Sequence, residues 1–145
     1  MYISDIDKNA RAAAKTSFVY LLISLFCALF GAVYELFSHE VYSFYMTYAF
    51  AFPLAGGTLP FSVLHLLRAG RYPGALARNL YHSGIATLTV GSIVQGVMEI
   101  YGTTNALAGY YWIAGGALLL DGIAAYLVQH IGKKDKKRME HAETA

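Results

Sequence analysis

Charge is scarce in this chain. Asp, Glu, Lys and Arg make up 14% of its 145 residues, where soluble domains carry about 25%, and the mean hydropathy is +0.43. The apolar residues gather in four long blocks separated by short basic segments, which excludes a soluble globular domain, a disordered chain and a coiled coil. Cysteine is nearly absent too: Cys27 stands alone inside an apolar block, so no disulfide scaffold can form within the chain. HExxH, CxxC, Walker, GxSxG and GxGxxG elements are all missing. Gly56-Gly57 lacks the Gly-Lys-Ser/Thr ending that a phosphate loop requires. No internal repeat supports an inverted-repeat transporter. The connections are too short to hold a soluble catalytic domain, so no enzyme of a standard hydrolytic or transfer type is expected.

What is present reads as a small polytopic membrane protein. An apolar helix needs about 20 residues to cross roughly 30 Å of hydrocarbon, and four segments meet that length, at about 16–37, 41–67, 80–101 and 106–131. The third is the most polar, with His82, Ser83, Thr87, Thr89, Ser92, Gln95 and Glu99. All 11 basic residues fall in three places: Lys8, Arg11 and Lys15 before the first span, Arg68, Arg71 and Arg78 between the second and third, and Lys133, Lys134, Lys136, Lys137 and Arg138 after the fourth. The turns near His39-Glu40 and Gly102–Asn105 have none and are flanked by Glu35, Glu40 and Glu99. Lys and Arg favour cytoplasmic loops, so the expectation is an all-α bundle of four antiparallel transmembrane helices. Both termini would be cytoplasmic, in a plasma (inner) membrane, and the whole chain would form one domain. The first apolar run is too long for a cleaved signal peptide. Ser4 and Asp7 have capping-box spacing and place a helix start near Asp5. The tail, 132–145, is charged with no apolar face, a segment for the cytoplasmic surface and its anionic lipid. It has no aromatic or groove-reading partner residues, so nucleic acid is excluded.

Polar and helix-breaking residues inside the apolar blocks mark where function would sit. Pro53 and Pro60 bracket Gly56-Gly57 in the second span. A proline removes a backbone hydrogen bond and crowds the preceding turn, so the helix is expected to kink or break between Pro53 and Pro60. Neighbouring groups must then satisfy the freed carbonyls. Asp121 is the one acid deep in a span, and a carboxylate there costs about 2.5–3.5 kcal/mol on insertion scales unless it is neutralised or paired. Counted from the outer ends of the spans, Gly56, Thr87 and Ser24 stand at the depth of Asp121, with Gly57 and Thr58 beside Gly56. Ala114, Ala117 and Ala125 share its face, with Gly115 and Gly122 alongside, which predicts an inward-facing acid at a close helix contact. Asp121 would then either serve a polar site or donate to a carbonyl freed by Pro60. Gly84, Thr87, Gly91, Gln95 and Met98 form the matching stripe on the third span. Glu35 and Glu99 lie within a turn of the outer surface, where carboxylates reach water. Tyr34, Tyr42, Tyr101, Tyr110, Tyr111 and Trp112 outside, with Tyr72 and Tyr81 inside, form an aromatic belt.

His65, His82 and His130 fall near the cytoplasmic ends of their spans. Two imidazoles facing across a bundle can ligate a b-type haem, and three with one water suit zinc; interfacial polar residues fit the same positions. Three functional readings follow. One is an auxiliary or assembly subunit, acting through helix packing with a larger membrane complex or as a homo-oligomer. Another is a small carrier or proton-coupled permeation unit centred on Asp121 and the broken second span. The third is a haem-b electron carrier using His65 with His82 or His130. Small-residue seams in excess of what one bundle needs favour the first.

Overall fold

The computed structural model describes the backbone of residues 2–38, 40–67 and 72–143, and the side chains of 6–38, 40–67, 72–132 and 139. Arg68, Arg71, His39 and the side chains of Ser4 and of the basic residues 133–138 lie outside the described set. The described residues are almost entirely helical, and none of them is in a strand.

The first helix, α1 (Tyr2–Phe37), is followed by a short helix α2 (Phe44–Thr47). The second span then continues through α3 (Ala51–Pro53), a π-helical turn at Leu54–Thr58, and α4 (Leu59–Leu66). The third is α5 (Ala75–Ile100). A 3₁₀ turn at Ala106–Ala108 leads into α6 (Gly109–Glu143). Four stretches are long and apolar enough to cross a membrane: Ile6–Phe37, Phe44–Leu66, Ala75–Ile100 and Ala106–Gly132. They coincide with the expected spans to within a few residues, except that the first extends further towards the N-terminus.

Local signals set the ends. Ser38 Oγ donates to the carbonyls of Glu35 (2.7 Å) and Val41 (2.6 Å), closing the end of α1. α5 ends in a Schellman turn: Gly102 takes φ +68°, its N–H donates to Glu99, and Thr103 N–H donates to Met98. Asn105 Oδ1 accepts from Leu107 N–H and caps the 3₁₀ turn. Two expectations about helix limits change. α1 already begins at Tyr2, so the Ser4–Asp7 pair lies within the helix instead of starting it; a capping box adds stability to a boundary that is otherwise soft by a residue or two. At the other end the backbone of α6 stays helical through the charged tail to Glu143.

The second span is interrupted, though not where the prolines alone would put the break. The bend falls at residues 48–50, ahead of Pro53. Between Pro53 and Pro60 the helix widens by one residue and does not stop: Leu59 N–H reaches back to the Leu54 carbonyl, the i→i−5 bond of a π-helix. Each helix lies alongside its neighbour in the chain: α1 against the π turn and α4, the second span against α5, and α5 against α6. Among the described residues no backbone contact joins α1 to α6. The core is an aromatic knot where the first three spans meet, with Tyr20, Phe61 and Ile85 buried and Leu64, Tyr72, Tyr81 and Leu119 packed around them.

Candidate functional site

The π turn is the most demanding piece of backbone. Pro60 has no N–H to give, which releases the carbonyl of Gly56 four residues earlier. The Tyr81 hydroxyl of α5 donates to that oxygen at 2.7 Å. On the opposite side Ser17 Oγ of α1 lies 3.1 Å from the Thr58 carbonyl, to which it donates, and 2.6 Å from Ser62 Oγ. Gly57 is buried against the ring of Tyr20, so close that an added Cβ would overlap ring atoms. Tyr20 in turn stacks on Phe61, with centroids 6.1 Å apart, and its hydroxyl is hydrogen-bonded to His82 Nδ1 at 2.5 Å. Thr58 Oγ1 is buried with no hydrogen-bond partner, the one such side-chain atom among the described residues.

A cavity of about 560 Å³ opens beside this turn, lined by Lys15, Thr16, Tyr20, Pro53, His82 and Thr89 among others. A smaller one, about 220 Å³, lies on the far side of Phe61 next to Tyr81 and Gly122. The polar residues placed at one depth do not line a common chamber. Ser24 donates to the Tyr20 carbonyl (2.8 Å) and Thr87 to the Ser83 carbonyl (2.8 Å), each on its own helix, and Gln95 is half-buried on α5.

Glu35 and Glu99 hold the other end of the molecule. Ser43 Oγ donates to Glu99 Oε2 at 2.6 Å, Thr47 Oγ1 donates to Glu35 Oε1, and Ser92 Oγ donates to the Tyr45 carbonyl at 2.6 Å. The two acids therefore pin α2 from both sides. Met46, 1% exposed, is keyed between Gly31 of α1 and Gly96 of α5, where a Cβ on either glycine would come within 2.9 Å of its backbone.

The histidines separate. His65 is exposed, with Nδ1 donating to the Ala10 carbonyl (2.9 Å). His130 is exposed beside the Tyr126 ring, and His82 is half-buried and held by Tyr20. No group of three or more His, Cys, Asp or Glu gathers among the described residues, and neither cavity is lined by two histidines. No three-histidine zinc set is therefore assembled among the described residues.

Asp121 is where the structure departs most from the sequence reading. α6 packs on α5 through Gly115, Leu119 and Gly122: a Cβ on Gly84 would sit 2.8 Å from Leu119 N, and one on Gly122 would sit 2.7 Å from Tyr81 N. At 3.6 residues per turn, Ala114, Ala117, Asp121, Ala124 and Val128 then fall on the opposite face, and all of them are exposed. Asp121 has no hydrogen-bond or ion-pair partner among the described residues, and the carbonyl released by Pro60 takes its proton donor from Tyr81. Only 11% of the most apolar stretch of α6 is buried, against 33% in α5, because α5 is the one helix alongside it. Tyr20, Tyr81 and Ser17 were missed as site residues. The signal available for them was the need to cover carbonyls freed at Pro60 with hydroxyls from adjacent spans.

No protein-family model matches the chain, and no curated protein or solved structure matches it.

Proposed function

We propose that this chain is an integral membrane protein whose four helices cross antiparallel with both termini in the cytoplasm, and that it works as an auxiliary or assembly subunit, bound to another membrane protein through the outward face of α6. The pairing of contacts supports the antiparallel order: Ser17, early in α1, meets Thr58 and Ser62 late in the second span, while Glu35 near the end of α1 meets Thr47 near its start. The positive-inside distribution of the 11 basic residues supports the orientation. One observation carries the assembly reading: among the described residues, an acid within an apolar span stands without a partner on the helix face that they leave uncovered. Groups of this kind are costly in lipid and persist where something pairs with them.

Two measurements test it. Cysteines introduced at Thr103 and Lys136 should react with an impermeant thiol reagent from the outer and the cytoplasmic side respectively; labelling of Thr103→Cys only from the cytoplasmic side overturns the topology. Solubilised gently from its native membrane, the tagged chain should migrate in a complex larger than the purified chain does. A lone monomer there ends the assembly reading.

A further inference from the structure

The uncovered face of α6 has a chemistry specific enough to name its occupant, an inference that rests on the assembly reading above. We propose that this face docks a transmembrane helix of another protein that carries a Lys or Arg at the level of Asp121 and pairs with it. Ala114, Ala117, Asp121, Ala124 and Val128 recur at alternating steps of three and four residues, the spacing of a seam along which two helices lie nearly parallel and interdigitate. No seam residue is larger than valine, so a partner backbone can come close. Leu120 (68% exposed) and Leu127 (52%) form a ridge along one edge.

Asp121 stands near the middle of this seam, inside the 27-residue stretch Ala106–Gly132 and level with Tyr81 and His82 of α5, because the backbone of Gly122 meets that of Tyr81. What would cover it must bring a positive charge to that level. A second copy is a poor source. Its Lys and Arg lie before or at the start of the first span, between the second and third, or after the fourth. The one nearest the level of Asp121 is Arg78, about one turn closer to the start of α5 than Tyr81, and its guanidinium already lies over the Tyr72 ring, 5.5 Å from the centroid. A copy inserted in the same orientation would also set another carboxylate opposite Asp121. A basic side chain on a different protein matches the site in charge, and an arginine matches it in geometry as well, through two parallel hydrogen bonds to one carboxylate.

The test uses the full chain reconstituted in phosphatidylcholine vesicles with synthetic Leu/Ala transmembrane helices that differ only in their central residue, Arg or Leu. Binding is read by energy transfer between labelled chain and labelled peptide. The Arg helix should bind roughly tenfold more tightly than the Leu helix, the ratio expected of one charge-assisted contact. That preference should vanish in Asp121→Asn, which keeps the size of the side chain. Ala117→Ile, on an exposed position that α5 does not touch, should weaken the Arg helix with helix content by circular dichroism unchanged. Equal binding of the two peptides by the wild type overturns the proposal. So does an Arg preference that survives Asp121→Asn, or self-association of the wild type that Asp121→Asn abolishes, which would assign the face to a second copy. Equal peptide binding with a larger complex still present in native membranes overturns this docking mode alone; a lone monomer in native membranes overturns the assembly reading as well.

Discussion

Gly57→Ala is the sharpest test of how the π turn is held. The new Cβ would overlap Tyr20 ring atoms, and the ring cannot move freely. It is 8% exposed, stacked on Phe61 and hydrogen-bonded to His82. Over-packing of this kind costs about 1–3 kcal/mol, and displacing Tyr20 far enough to lose His82 adds about 0.5–1.5 kcal/mol. Alanine recovers up to about 1 kcal/mol through its better helix propensity. The net expectation is a loss of about 2 kcal/mol. It can be followed through Trp112, the only tryptophan, whose ring lies 5.8 Å from that of Tyr45 and 5.6 Å from that of Phe52, during titration of dodecyl sulfate into mild-detergent micelles. Gly116→Ala is the control, because nothing lies within 4 Å of its added Cβ, and it should leave stability unchanged or slightly raised. The cause can be isolated in a Tyr20→Leu background, where Gly57→Ala should become neutral or favourable, a coupling of at least about 1 kcal/mol. If Gly57→Ala is as stable as Gly116→Ala, or loses as much when Tyr20 is leucine, the close approach of Gly57 and Tyr20 is not what sets the turn.

Tyr81→Phe removes the donor to the Gly56 carbonyl while keeping the ring against Phe61; it should cost about 1–3 kcal/mol, the penalty for an interior acceptor left unmet, in the same titration. Tyr72→Phe, whose hydroxyl bonds only Thr16 at 2.9 Å among the described residues, should cost about 1 kcal/mol or less. At the other end, Ser43→Ala removes both the cap of α2 and the hydroxyl that donates to Glu99. A loss of about 0.5–2 kcal/mol is expected, with hydrogen exchange faster at Met46 and Thr47 and unchanged in α5.

The four spans were legible because length and hydropathy are properties of whole segments, and a 26-residue apolar helix such as α5 tolerates a few polar residues without ambiguity. The bend was displaced because prolines show where a hydrogen bond is missing, not where the helix turns. Tyr81 repairs the missing bond at Pro60 in place, while the bend at 48–50 accompanies α2 being clamped by Glu35 and Glu99 and keyed through Met46 between Gly31 and Gly96, contacts between residues distant in sequence. The partners of Glu35 and Glu99 were hidden for the same reason: Thr47 and Ser43 belong to a four-residue helix and its N-cap, with no periodicity to announce them. The orientation of Asp121 was a choice between two stripes of small residues on one helix. Gly115 and Gly122 prevail over Ala114 and Ala117 because their contacts with α5 are backbone to backbone; a Cβ on Gly84 would lie 3.0 Å from the Gly115 carbonyl oxygen. Alanine still carries the methyl group that such an approach excludes.

That choice of face changes what the acid means. Most of the other polar groups named in the apolar region are met from within, Gln95 excepted. The Gly56 and Thr58 carbonyls take hydroxyl donors from α5 and α1, Ser92 donates to the carbonyl of Tyr45, and Ser24, Thr87 and Thr89 turn back onto their own helices. Thr58 Oγ1 is left over, but a rotating hydroxyl can reach a carbonyl of its own helix at little cost. A carboxylate has no such escape, since it has no proton to turn inward and needs donors brought to it. Asp121 is thus set apart from these groups: it lies about 120° round α6 from the line of contact with α5, exposed, on the least buried of the four spans. A structural acid would be found where the backbone needs it, at the π turn, and that need is already met by Tyr81. What remains is an acid with no partner among the described residues, on the face where the proposed contact with another protein would form.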